Sequence, residues 1–358
     1  MAPKILLIQL RQLGDILLTT PCLREIRRAW PEAHISFMTH PMGRLILKDN
    51  PYLDQHIVYD PKASWRQEWQ LLRQLRAGAF DMVLDFMYNP RSALYARITG
   101  APRRLAFPSR RSLFFTETVP QGGKVEYIVS EKFRYLTHLG LKPESPALDL
   151  PWFPADAHRT DLWSTEEPRF AEAPLRIVLS PTHRRAERQW PLDRFARLAD
   201  RLSLEWGATV IWIWGPGEKE FVEGIQARCL QPSLLAPATS FRELAALIAR
   251  SDLFIGNSNG PSHVAVAVDT PSMQIHGPTY AATWCPLSTR HHAVQACAQS
   301  DTLASLGRGP IDLISEEELW QALSSLRKPV EVGAAARRRL GERRAWQGPF
   351  TSEQGDRS

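Results

Sequence analysis

Four short stretches of this 358-residue sequence put reactive or ligand-binding side chains at turns, outside the periodic segments. In LRQLGDILLTT, Gly14 and Asp15 follow the apolar run KILLIQL, so the carboxylate is either a helix cap or a reactive group at the mouth of a cleft. LSPTHRRAERQWP carries Arg184, Arg185 and Arg188 just beyond a second apolar run. Such a cluster is either solvated surface or, at a strand's carboxyl end, a source of charge-assisted bonds to an anion. WGPGEKE reads as a plain turn, or as a loop in which backbone approaches a nucleotide and Glu218 accepts from ribose hydroxyls. IGNSNGPSHVAVAVDTPSMQIHGPT is the strongest signal. Pro261 suits a helix's first turn, whose free amides and dipole form an anion site of the kind a pyrophosphate fills. His263 in that turn is either structural or a donor to phosphate, and HGPT (residues 276–279) repeats the strand-end glycine on the next strand.

The elements that must hold these turns are legible as alternation. KILLIQL, HISFMTH, QHIVYD and FDMVLDFM are strand-like, separated by the helical patterns LLTTPCLREIRRAW, GRLILKDN and WRQEWQLLRQLRAG. Strands alternating with such helices imply βαβ units and a doubly wound sheet, which binds ligands at the carboxyl ends of its strands. A second series, LRIVLS, ATVIWIWG, DLFIGNS and PSMQIHG with intervening helices, follows a proline-rich stretch. The expected architecture is α/β: two Rossmann-like domains with parallel sheets facing a central cleft. Their expected bounds are 1–155 and 175–328, with 156–174 a linker and 329–358 a basic, aperiodic tail that is disordered or a marginal helix.

Composition narrows the classes. A hydrophobic fraction of 44% and a charged fraction of 23% suit a soluble globular protein, and no run reaches the ~20 apolar residues of a membrane span. The N-terminus lacks a signal-peptide layout, which points to the cytoplasm. The four cysteines show neither metal-site nor disulfide-framework spacing. A net charge of +6 favours anionic partners.

Five segments in order carry a family resemblance, from about Lys4 to Lys328: KILLIQLRQLGDILLTTPCLREIRRAWPEAHI, FDMVLDFMYNPRSALYARITGAPRRLAF, RQWPLDRFARLADRL, WGPGEKE and GNSNGPSHVAVAVDTPSMQIHGPT. The chain resembles glycosyltransferase family 9, the ADP-heptose:lipopolysaccharide heptosyltransferases. The resemblance implies the two-domain GT-B fold and an inverting, metal-independent transfer of heptose from ADP-heptose to a lipopolysaccharide inner-core acceptor, with no cofactor. It implies Asp15 as general base, Arg188 where the family commonly has a lysine facing the diphosphate, Glu218 on ribose, and Gly260 and His263 in the phosphate turn. Ser258 departs from an aspartate that contacts the donor sugar in many members, which leaves a heptose held differently or another hexose-like unit. Thr182, Arg188, Glu218, Ser258, Gly260 and His263 all fall at strand carboxyl ends and form the expected donor site. Arg44, Arg91, Arg103, Arg104, Arg110 and Arg111 form an expected basic surface for a lipid-linked saccharide at the cytoplasmic face of the inner membrane, with no nucleic-acid partner. The competing readings are a transferase for another ADP- or UDP-sugar, a nucleotide-sugar epimerase, and a non-catalytic glycan- or membrane-binding relative.

Overall fold

The structure is a computed structural model that describes residues 2–123, 125–297, 308–342 and 345–346. They fall into two units, one ending at Pro151 and the other starting at Trp152. Each is built on a six-stranded sheet in which every pairing is parallel.

The first unit runs β1 (Lys4–Gln9), α1 (Leu13–Leu17), α2 (Thr20–Ala29), β2 (His34–Thr39), α3 (Arg44–Leu47), β3 (Gln55–Val58), α4 (Trp65–Ala77), β4 (Met82–Asp85), α5 (Pro90–Thr99), β5 (Arg103–Ala106), β6 (Glu117–Thr118) and α6 (Ile128–His138). Its strand order is β3-β2-β1-β4-β5-β6. Ile5 to Ile8 of the inner strand β1 are fully buried, as an unbroken apolar run covered on both faces requires. The helix expected over LLTTPCLREIRRAW is α2, which starts at Thr20, while α1 ends at Leu17. Pro21 has no amide to donate to the Leu17 carbonyl, and the Thr20 hydroxyl takes that place at 2.8 Å. β5 and β6 escape the apolar pattern because one opens on Arg103 and Arg104 and the other has two residues.

The second unit runs α7 (Pro154–Glu166), α8 (Pro168–Ala171), β7 (Arg176–Ser180), α9 (Leu192–Trp206), β8 (Thr209–Trp212), α10 (Lys219–Gln226), β9 (Leu234–Leu235), α11 (Phe241–Ala249), β10 (Leu253–Asn257), α12 (Gly260–Ala267), β11 (Ser272–His276), α13 (Ala281–Trp284), β12 (His291–Gln295), α14 (Glu316–Ser324) and α15 (Arg327–Leu340). The strand order is β12-β11-β10-β7-β8-β9, so the chain reverses direction between β7 and β10.

Two expected boundaries change. The linker over 156–174 is largely helical: Pro154 and Pro168 open α7 and α8, positions where a missing amide costs nothing. α7 packs on α11 of the second unit, with Asp161 paired to Arg250. Of the two readings of the tail, the helix holds over Arg327–Leu340 as α15. Val330 and Ala334, four residues apart on one face of α15, enter the core of the second unit. One turn on, Arg337 grips Asp252 through both carboxylate oxygens, at 2.9 and 3.0 Å. Residues 343–344 and 347–358 of that tail lie outside the described residues.

Asp252 is buried, so removing its partner strands a charge. Arg337→Ala is therefore expected to cost about 3 kcal/mol in urea unfolding. Adding Asp252→Asn should recover a large part of that loss.

Candidate active site

The seam between β7 and β10 is unusually close. A Cβ on Gly256 would sit 2.8 Å from both Ser180 Cβ and the Ser180 carbonyl oxygen, so only glycine fits there. That approach lets two asparagines, Asn257 ending β10 and Asn259 just beyond it, lace the loop after β7. Asn257 donates to the Pro181 carbonyl at 2.8 Å and accepts from the Trp190 amide at 3.0 Å. Asn259 donates to Ser180 Oγ at 3.0 Å and to the Thr182 carbonyl at 2.9 Å. Its side-chain oxygen also accepts the Ser262 amide at 3.2 Å, capping α12. Neither asparagine is among the expected site residues. The N-x-x-S spacing of Asn259 and Ser262 is the signal for the cap, whereas the bonds to the β7 loop have no sequence signature.

The six expected donor-site residues lie at this carboxyl edge or in the first turns of its helices. Thr182 donates to Glu218 Oε2 at 2.8 Å, and the Gly215 amide reaches the same oxygen at 2.9 Å. Glu218 thereby ties the β8 loop to the β7 loop through one carboxylate oxygen. Ser258 sits half-buried between the two lacing asparagines. Gly260 opens α12, and a Cβ added there meets nothing within 4 Å, so the helix start faces open space. Gly277 of the HGPT turn differs, since its missing Cβ leaves room for Ile311, whose Cα and N would be 3.0 Å away. That second glycine serves packing.

Arginine and histidine side chains gather at the same edge. Arg188 is half-buried, and its buried Nε has no hydrogen-bond partner among the described residues. Burial lowers its pKa, and Arg185 adds to the effect. Burial also pushes His276, at the end of β11, down to about 3, with His263 and Arg188 acting in the same direction. His263 is buried in the first turn of α12, beside the Trp284 ring. A helix start, a desolvated guanidinium with an unmet donor and two imidazoles make a site that an anion would complete.

In the first unit, Asp15 lies inside α1 and its side chain caps no helix, because Gln12 holds the N-cap position. Its carboxylate is half-exposed and takes no hydrogen bond among the described residues. Its carbonyl is clamped by the Thr19 hydroxyl at 2.7 Å and by Lys132 Nζ at 3.0 Å. Lys132 reaches it from α6, is buried, and also donates to Thr19 Oγ at 2.7 Å. Burial lowers the Lys132 ammonium to about 8, while the nearby Asp15 charge partly restores it. No sequence pattern singled out Lys132. At the end of β4, Asp85 is fully buried and pushed up to about 6 by burial, against bonds from Ser92, Met87 and Tyr88. The next turn holds Tyr88 at φ 38°, a strained position for a bulky residue.

The sequence profile of glycosyltransferase family 9 (heptosyltransferase) matches residues 68–306, about two thirds of the chain. The chain belongs to glycosyltransferase family 9. It is a glycosyltransferase. Lipopolysaccharide heptosyltransferase 3 of Escherichia coli is 29% identical over 291 residues, covering 77% of this chain and 84% of the relative. The family 9 glycosyl transferase of Veillonella parvula superposes with a TM-score of 0.78 at 22% identity, covering 91% of this chain and 97% of that one. E. coli ADP-heptose lps heptosyltransferase II gives a TM-score of 0.71 at 20% identity, covering 92% and 99%. These likenesses fix the α/β fold of the family 9 enzymes for both units.

Lys132 offers a check on the Asp15 turn. Its folded pKa is depressed, so between about pH 8 and 10.5 the unfolded chain binds more protons and stability rises with pH. The rise is at most about 3 kcal/mol. Buried Cys22, pushed up to about 12, contributes the opposite slope in wild type and variant alike. Denaturant titrations across that range are expected to show the wild type gaining stability relative to Lys132→Met.

Proposed function

We propose that this family 9 glycosyltransferase moves a heptose from ADP-heptose to a lipopolysaccharide inner-core acceptor, inverting the anomeric centre. The observation that carries the donor side is the open α12 start at Gly260, with the unmet Nε of Arg188 at the same sheet edge. A diphosphate supplies the oxygens that these donors lack. Oε1 of Glu218, which takes no hydrogen bond among the described residues, is left for ribose hydroxyls, since Oε2 already holds Thr182 and Gly215. The name of the E. coli relative, lipopolysaccharide heptosyltransferase 3, supports the sugar and the acceptor class.

In this reading the acceptor oxygen bonds to the anomeric carbon, the bond from that carbon to the β-phosphate oxygen breaks, and ADP leaves. Asp15 takes the acceptor proton, a role that suits a carboxylate with no hydrogen bond of its own among the described residues. Charge on the leaving diphosphate is met by Arg188 and the α12 amides without a metal. The enzyme works at the cytoplasmic face of the inner membrane as a peripheral protein, and among the described residues no helix is long and apolar enough to span a bilayer. Ser258 supports a second reading, in which another nucleotide-sugar is the donor, because an uncharged hydroxyl replaces the family's carboxylate at the sugar position.

Thermal shift with ADP, UDP and GDP separates the two donors, since stabilisation follows RT ln(1 + [L]/Kd). ADP should give the largest shift, and a larger response to UDP would favour the second reading. Arg188→Ala should weaken ADP binding about tenfold or more in calorimetry while leaving unfolding unchanged, because a bond to a charged group is lost. Unchanged affinity would remove Arg188 from the site.

Asp15→Asn removes the charge at nearly constant shape. It should lower kcat by about 10² or more and preserve ADP binding. An Asn variant with near-normal turnover would sink the general-base role.

A further inference from the structure

The positive charge of this chain is concentrated in one segment. Residues 61–116 hold ten Arg and Lys against three acids, which outweighs the +6 of the whole protein. Of those three acids only Asp81 is exposed. Asp85 is fully buried, Glu68 accepts the Tyr95 hydroxyl at 2.6 Å, and Asp81 accepts the Lys4 amide at 2.8 Å.

Large apolar side chains stand exposed in the same segment. Trp65 and Trp69, one turn apart on α4, are 75% and 59% exposed. Leu113, in the short 3-10 turn Ser112–Phe114, is 95% exposed, and Phe114 beside it is exposed as well. α5 lies against both α4 and this turn and adds the exposed Leu94, so the three elements are neighbours within the first unit. Arginines border each apolar group: Arg66 lies over the Trp65 ring at 5.3 Å, Arg73 follows Trp69 by one turn, and Arg110 precedes Leu113. The turn is tied down, because Arg104 donates to the Phe114 carbonyl at 3.0 Å.

We propose that the face formed by α4, α5 and the Ser112–Phe114 turn docks on an anionic lipid bilayer, with Trp65, Trp69, Leu113 and Phe114 entering the interfacial layer. Tryptophan suits the headgroup boundary, where an apolar ring and a polar N–H are both satisfied. The flanking arginines meet lipid phosphates, and their long stems lie along the apolar boundary. A folded partner is the poorer fit, since the apolar pairs are interleaved with arginines, without a central desolvated cluster of the kind that anchors protein interfaces. The assignment deepens the peripheral membrane location proposed above and rests on it, and vesicle binding tests it apart from turnover. It is independent of the donor, the acceptor and the role of Asp15.

The test uses the full chain with vesicles rich in phosphatidylglycerol and, separately, vesicles of pure phosphatidylcholine. Binding is expected to the anionic vesicles only, to weaken with salt, and to bring quenching of tryptophan fluorescence by brominated lipid. Trp65→Ser/Trp69→Ser should lose most of that quenching, and both it and Leu113→Ser should partition more weakly. Arg66→Glu/Arg73→Glu should partition about tenfold or more weakly. All these side chains are exposed, and circular dichroism with thermal unfolding verifies that each variant is folded. Unchanged partitioning and quenching in the variants overturns the proposal. So does equal binding to both vesicle types, or a concentration-dependent dimer without vesicle binding that the Trp65→Ser/Trp69→Ser variant abolishes, which would give this face to a second copy of the chain.

Discussion

The carboxyl edge of the second sheet depends on how closely β7 and β10 approach. Because Gly256 lacks a Cβ, the Ser180 backbone can lie against it, and Asn257 and Asn259 come within hydrogen-bond reach of the Pro181 and Thr182 carbonyls. From those bonds the rest of the edge follows. Thr182 is held where its hydroxyl meets Glu218, and the same Asn259 caps α12 so that its first turn begins at Gly260. One backbone contact thus fixes the loop after β7, the start of α10 and the start of α12 relative to one another. This is the strand reversal at which doubly wound sheets bind ligands.

Both units hold positive charge away from water at their strand ends, and they treat it differently. Lys132 keeps two oxygen acceptors and the electrostatic support of Asp15, so the ammonium belongs to the architecture of the α1 turn. Arg188 lies partly desolvated beside Arg185, with its Nε unsatisfied among the described residues. A desolvated donor without an acceptor costs free energy that a bound anion returns. The difference between the two cations is the difference between scaffold and site.

Much of this was legible in the sequence. The unbroken apolar runs gave the long parallel strands, and the turns after them carried Thr182, Arg188, Glu218, Ser258, Gly260 and His263 to one edge of one sheet. The failures have physical causes. Pro154 and Pro168 read as linker punctuation, yet proline is equally at home at a helix start, and only packing on α11 decides between the two. In the basic tail, the repeat of Val330, Ala334 and Arg337 is too sparse to stand out from six arginines, and it gains meaning from Asp252, 85 positions away from Arg337. Lys132 was invisible for a similar reason, since a lysine on an amphipathic helix reads as solvated until its neighbours from α1 and α2 are in place.

The buried titratable groups also constrain one another. His276 and His291 are pushed down by burial to about 3 and about 4. Between those values and 6.5 the unfolded chain binds more protons, so their contribution to stability falls as pH drops. Asp85 and Asp149 are pushed up by burial to about 6, so between 3.8 and 6 the folded chain binds more protons and their contribution grows as pH drops. Two groups of each kind act over the same interval, roughly pH 4 to 6, and their slopes have opposite signs. The fold therefore keeps a neutral imidazole behind the α12 turn and a protonatable carboxyl beneath the β4 turn with little net pH dependence from the four together. Neutrality of His276 matters locally, because an imidazolium there would be a buried charge close to the Arg188 guanidinium.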